Sequence, residues 1–119
     1  MEALSAQSRR DLFRGSLETL VLAELVDGPR YGYAIQRRVE EASGQAVGAS
    51  VLYPLLHRLE SAGYVEPSWE DGARRPRKWY TLTEAGRAQL KAEAVEWQAV
   101  LARLQGAILP ALRRAATRG

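Results

Sequence analysis

Two stretches of the chain carry side chains that could do chemistry. Residues 74–78 read RRPRK, four cations in five positions with no acid among them. Residues 50–64 read SVLYPLLHRLESAGY. On a helical wheel at ~100° per residue, Leu52, Leu55, Leu56 and Leu59 share one side of that stretch. Ser50, Pro54, His57 and Ser61 lie roughly opposite, with Tyr53 and Arg58 at the flanks and Glu60 at one edge. Hydroxyls, an imidazole and a guanidinium can hydrogen-bond phosphate oxygens and base edges. A purely solvated helix face needs neither a large ring nor a helix-restricting proline. A short loop with four like charges repels itself, and phosphates would relieve that repulsion while releasing counterions. The two stretches together point to contact with double-stranded DNA, through Ser50, Tyr53, Pro54, His57 and Arg58 and through Arg74, Arg75, Arg77 and Lys78.

Other chemistries find little support. His57 is the only histidine and there are no cysteines. Thiolate metal sites and disulfides are excluded, and no metal or other cofactor is expected. A catalytic triad would need His57 beside a serine and an aspartate, yet it falls on an open helix face next to Arg58. No glycine-rich phosphate loop occurs, and "YGY" (31–33) reads as a turn leading into a helix. Enzymatic activity is therefore not expected.

The net charge of +3 and the isoelectric point near 9.6 matter less than where the cations cluster. No stretch approaches the ~18–20 apolar residues of a membrane span, and the N-terminus lacks a signal-peptide run. A soluble cytoplasmic protein without membrane contact is the expectation.

Elements must position these groups. "SAQSRRDLFRG" (5–15) reads as a short helix carrying Arg9, Arg10 and Arg14. Leu17, Leu20, Val21 and Leu25 recur at helical spacing, with Ser16 as the expected cap and Gly28-Pro29 as the stop. A further helix is predicted over 32–43, with Ala34, Ile35, Val39 and Ala42 inward and Gly44 at its end. The leucine helix follows, capped by Ser50, with Pro54 in its first turn. The period then changes from 3.6 to 2. "YVEPSWE" (64–70) and "RKWYTL" (77–82) read as two strands joined by "DGARRP", and Pro67 places its strand at a sheet edge. Thr83 caps a long last helix. The predicted fold is mainly α with a small β wing, a winged helix-turn-helix plus a long C-terminal dimerisation helix. Its expected divisions are a winged domain over 1–83, the dimerisation helix over 84–109 and a flexible tail over 110–119.

Along that last helix, Leu90, Ala94, Trp97, Leu101, Leu104 and Ile108 are spaced 4, 3, 4, 3 and 4. This is an a/d seam. It would be exposed in a monomer, so it predicts a homodimer, with the first helix adding to the surface. A two-fold dimer would present two recognition helices to a pseudo-palindromic operator. Trp97 is the odd member of the seam. It either packs the interface or offers an aromatic wall to a planar hydrophobic small molecule.

The chain resembles the PadR family of bacterial transcriptional regulators. The resemblance rests on "YGYAI" (31–35), "LYPLLHRLESAGYV" (52–65) and "RKWYTLTEAGRAQL" (77–90). It implies a homodimeric winged-helix repressor and carries DNA contact to Tyr53, Pro54 and Arg58 and wing contact to the cations of 74–78. The single C-terminal helix resembles the short-tailed subgroup, whose drug-binding members place a tryptophan of that helix at the dimer centre. "EWQ" (96–98) matches, which makes Trp97 the ligand candidate. Two departures stand out: Ser50-Val51 replaces the usual Gly-Thr or Gly-Ser, and Trp79 is the first ring of the usual tyrosine pair. The function expected is a repressor released by a small hydrophobic effector. The other reading is a winged-helix protein-interaction module that binds no DNA.

Overall fold

A computed structural model describes residues 4–118. The chain forms α1 (Ala6–Gly15), α2 (Leu17–Glu24), β1 (Arg30–Tyr31), α3 (Gly32–Ser43), α4 (Ala49–Ser61), β2 (Val65–Trp69), β3 (Lys78–Leu82) and α5 (Glu84–Arg118). The core sits between α2, α3, α4 and the sheet. Val21, Leu22, Ile35, Val39, Leu52 and Leu56 are wholly inaccessible in it, and Val65, Tyr80 and Leu82 close it from the wing side. On α3 the buried residues are Gly32, Ile35, Val39 and Ser43; Ala42 faces solvent, one position off the expected stripe.

The sheet is three-stranded and antiparallel, in the order β1-β3-β2. Two strands were expected. The third, β1, pairs Arg30 with Tyr80 and Tyr31 with Trp79. It is held by backbone hydrogen bonds over two residues, too short to show any alternation. Strand β2 lies at the edge, where Pro67 opposite Tyr80 has no ladder bond to give on its outer side.

The turn between α3 and α4 is braced from both ends. Gln36 Nε2 donates to the Val47 carbonyl at 2.7 Å, and the Val47 N–H donates to Glu40 at 2.9 Å. Gly44 takes the left-handed conformation (φ 68°) that ends α3. These bonds fix the angle at which α4 leaves α3.

Two caps and a proline depart from expectation. Ser16 is the single turn residue between α1 and α2, and its hydroxyl donates to the Phe13 carbonyl of the preceding helix, so its side chain does not cap α2. Helix α4 starts earlier than expected, at Ala49 with Gly48 as its cap, which puts Ser50 inside the helix and Pro54 in the second turn. Pro54 cannot donate to the Ser50 carbonyl, but that position is exposed and water can take the bond.

Thr83 caps α5 as expected. Its hydroxyl accepts from the Gly86 N–H at 3.0 Å and donates to the Gly63 carbonyl at 2.6 Å. Gly86 lies where α5 crosses the start of β2. A Cβ there would fall on the Tyr64 carbonyl oxygen and 2.6 Å from Leu82 Cδ1. The expected tail over 110–119 is corrected: α5 continues through Pro110 to Arg118. Proline costs one hydrogen bond, and the alanines, leucine and arginines that follow are strong helix formers. At ~1.5 Å per residue, α5 is about 50 Å long. Only its first part packs on the domain.

Candidate nucleic-acid interface

Helix α4 presents the expected face. Ser50, Tyr53, Pro54, His57 and Arg58 are all exposed, while Leu52, Leu55, Leu56 and Leu59 are buried. Tyr53 is 44% exposed. The hydroxyl end of its ring lies against the start of α3. A Cβ on Gly32 would sit 2.8 Å from Tyr53 Cε1 and 2.9 Å from its hydroxyl. Gly32 is thus required for this placement of Tyr53, a role hidden in "YGY". His57 reaches outward, its Nδ1 3.9 Å from Glu60.

Arg58 is placed differently. Its Nη2 donates to Glu18 Oε1 of α2 at 3.1 Å, so the guanidinium is tied back to the protein.

The basic run of the wing divides in two. Arg77 Nε donates to Glu70 at 2.8 Å, and its guanidinium carbon lies 4.3 Å from the Tyr31 ring centre and 5.7 Å from that of Trp79. Trp79 Nε1 donates to the same Glu70 carboxylate at 3.0 Å, and the Trp79 and Tyr31 rings meet edge to face. The Trp79 indole N–H, followed by the Arg77 contacts, holds the Glu70 carboxyl below its ordinary value. Lys78 Nζ lies 3.2 Å from Glu60 of α4 and over the Tyr80 ring. Arg77 and Lys78 therefore knit the base of the wing to β1 and α4. Arg74 and Arg75 are exposed in the loop and have no ion-pair partner among the described residues. The tip of the wing is the part of the run with unspent positive charge.

The acids that pair with these cations went unread in the sequence. Glu18, Glu60 and Glu70 lie 40, 18 and 7 residues away from Arg58, Lys78 and Arg77. A count of charge within a run does not see them.

On α5, Leu90, Ala94 and Trp97 are half-buried against their own domain, whereas Leu101, Leu104 and Ile108 are 49%, 49% and 58% exposed. Trp97 Nε1 donates to Thr19 Oγ1 of α2 at 3.1 Å. A cavity of about 280 Å³ between α1, α2 and the α3–α4 turn, lined by Phe13, Leu17, Leu20 and Val47, does not include Trp97. Among the described residues no helix is long and apolar enough to cross a membrane.

Helices α2, α3 and α4, with a braced turn before α4 and an exposed face on it, and a basic-tipped hairpin define a winged helix-turn-helix domain. Comparison with known proteins narrows this. The chain belongs to the PadR-like family of transcriptional regulators, whose family model matches residues 21–92. It is a family of regulators, not of enzymes. The fold is similar to that of a PadR family transcriptional regulator from Eggerthella lenta, with a TM-score of 0.76 and 36% identity over 87% of this chain and 90% of that one. An uncharacterised 37.1 kDa protein in a Streptomyces fradiae transposon is 43% identical over 91 residues, 76% of this chain; the chain spans only 24% of that protein's length. A Lysinibacillus sphaericus protein known only as protein X is 30% identical over 97 residues, covering 77% of this chain and 87% of that protein.

Proposed function

We propose that the protein is a homodimeric repressor, working in the cytoplasm, that binds a pseudo-palindromic DNA operator and is released by a small hydrophobic effector. The observation that carries the DNA part is the pairing of an exposed α4 face with a wing whose tip cations, Arg74 and Arg75, have no ion-pair partner among the described residues. In this reading α4 enters the major groove with Ser50, Tyr53, Pro54 and His57 foremost, and the wing tip meets phosphate. Arg58, Arg77 and Lys78 carry charge nearby but must leave Glu18, Glu70 and Glu60 to make direct contacts.

The dimer is supported by the outer part of α5. Leu101, Leu104 and Ile108 extend the seam of Leu90, Ala94 and Trp97 beyond the domain, and a stripe of that size favours a partner. A second copy would bring two α4 helices to half-sites about one DNA turn apart. The effector is supported by Trp97, whose polar edge is bonded to Thr19 while its ring is only half covered. The remaining ring surface suits a flat apolar ligand lodged between the two copies.

Gel shifts on the DNA upstream of its own coding region test the reading. Binding should weaken steeply as salt rises. Binding that is absent, or indifferent to salt, refutes it and favours a winged-helix module for protein partners.

A further inference from the structure

Helix α3 carries two adjacent arginines that the fold treats differently. Arg38 Nε lies 2.6 Å from a carboxylate oxygen of Glu24, at the end of α2. Arg37 is exposed and makes no hydrogen bond or ion pair among the described residues. Tyr33, one turn earlier, is exposed as well, and its hydroxyl has no partner among the described residues.

The direction of Arg37 follows from its neighbours. At ~100° per residue, α3 divides into arcs. Gly32, Ile35, Val39 and Ser43 form the buried one. Gln36 and Glu40 lie along one flank of it, and both bond Val47 in the turn that leads into α4. Tyr33 and Arg37 come next around that same flank, four residues apart and so one above the other. Arg38 lies on the other flank, where Glu24 of α2 holds it. The Tyr33–Arg37 ridge is therefore on the side of α3 that faces the turn and α4. The start of α3 also abuts α4 directly, where Gly32 meets the Tyr53 ring.

Resting on the DNA-binding reading above, we propose that Tyr33 and Arg37 form a further phosphate contact of the DNA interface, made by α3 beside the recognition helix. In a helix-turn-helix, the helix that precedes the recognition helix crosses the DNA backbone. The Arg37 guanidinium pairs with a phosphate there, and the Tyr33 hydroxyl donates to an oxygen of the same backbone. The nearby acids leave Arg37 free for this. Glu40 is engaged by the Val47 N–H, and Glu41 forms no ion pair with Arg37. Arg37 thus resembles Arg74 and Arg75 of the wing tip, and Arg38 resembles Arg77 and Lys78 of the wing base.

The neighbouring arginines supply the test, since each substitution by alanine removes one positive charge from the same helix. Arg37→Ala should lower operator affinity about fivefold at 0.15 M salt and reduce the magnitude of the salt slope by about 0.9, the equivalent of one phosphate. Arg38→Ala should leave the slope unchanged. Arg37→Lys keeps the charge and should keep the slope. Tyr33→Phe removes a neutral hydroxyl, so affinity should fall about fivefold with no change of slope. All four side chains substituted are exposed, and thermal denaturation checks that each variant keeps the fold of the parent. Equal slope losses in Arg37→Ala and Arg38→Ala would reduce the effect to overall charge and overturn the contact. An Arg37→Ala variant with the parent's slope overturns it too.

Phosphate-ethylation interference on the operator duplex gives a readout that overall charge does not move. One phosphate per half-site at which ethylation blocks binding of the parent should become tolerant in Arg37→Ala and stay blocked in Arg38→Ala. An unchanged pattern in Arg37→Ala refutes the α3 contact while leaving the DNA-binding reading in place. A parent chain that binds no duplex refutes that reading, and this contact with it.

Discussion

The two loop arginines give the sharpest test of the wing. Arg74 and Arg75 are exposed and carry no ion pair among the described residues, whereas Arg77 and Lys78 are each bound to a glutamate of the chain. Replacing Arg74 and Arg75 by alanine removes two phosphate contacts if each meets one. In B-DNA the slope of log affinity against log salt is about −0.9 per phosphate, so the double variant should lose about 1.8 from the magnitude of its slope. At 0.15 M salt that corresponds to an affinity about 30-fold lower, by extrapolation from 1 M. Thermal stability should stay within ~0.5 kcal/mol of the parent, as for surface substitutions that break no internal contact. Replacing Arg77 instead strands Glu70 beside Trp79, so the wing base should loosen and the melting temperature fall. Fluorescence anisotropy with an operator duplex across a salt series, together with thermal denaturation, checks both. An Arg74/Arg75 variant with the parent's slope, or an Arg77 variant that loses slope without losing stability, would show the assignment within the run to be wrong.

Three further outcomes are expected. Gly32→Ala should push the Tyr53 ring outward at about 1 kcal/mol, the scale of an off-rotamer side chain, and lower operator affinity as much as Tyr53→Ala does; the double variant should lose no more than either single one in a gel-shift titration. Leu104→Asp places a charge on the exposed seam, which a lone chain tolerates and a dimer interface does not, so sedimentation should find monomer and operator affinity should collapse. The depressed Glu70 carboxyl stabilises the folded wing above the ordinary carboxylate value and loses that contribution as pH falls through its own lower value, so Trp79 emission should change there in the parent and not in Glu70→Gln.

The helices and the wing could be read from the chain because their signal is local. Leucines at 52, 55, 56 and 59 fix a buried stripe whatever surrounds them, and alternation marks β3, which buries Tyr80 and Leu82, whereas β2 buries Val65 alone. Strand β1 could not be read that way, since its two residues are chosen by the backbone of β3 and not by their side chains. A serine with a competing partner does not cap: the Ser16 hydroxyl bonds the Phe13 carbonyl, a contact that no local pattern reveals. The helix runs past the expected end at 109 because the hydrogen bond missing at Pro110 is offset by the alanines, leucine and arginines that follow, which favour helix. For the interface, the residue types of α4 and the wing were legible. Which cations are free was not, because Glu18, Glu60 and Glu70 come to Arg58, Lys78 and Arg77 only through the fold.

The sheet has one further consequence, for self-association. Its two outer strands are β1, only two residues long, and β2, interrupted by Pro67. Neither offers an uninterrupted row of free amide and carbonyl groups onto which a neighbouring strand could zip. The wing therefore resists edge-to-edge aggregation even where many copies crowd one stretch of DNA. A proposed dimer would therefore have to form through helical surfaces, where side-chain complementarity can set the number of copies.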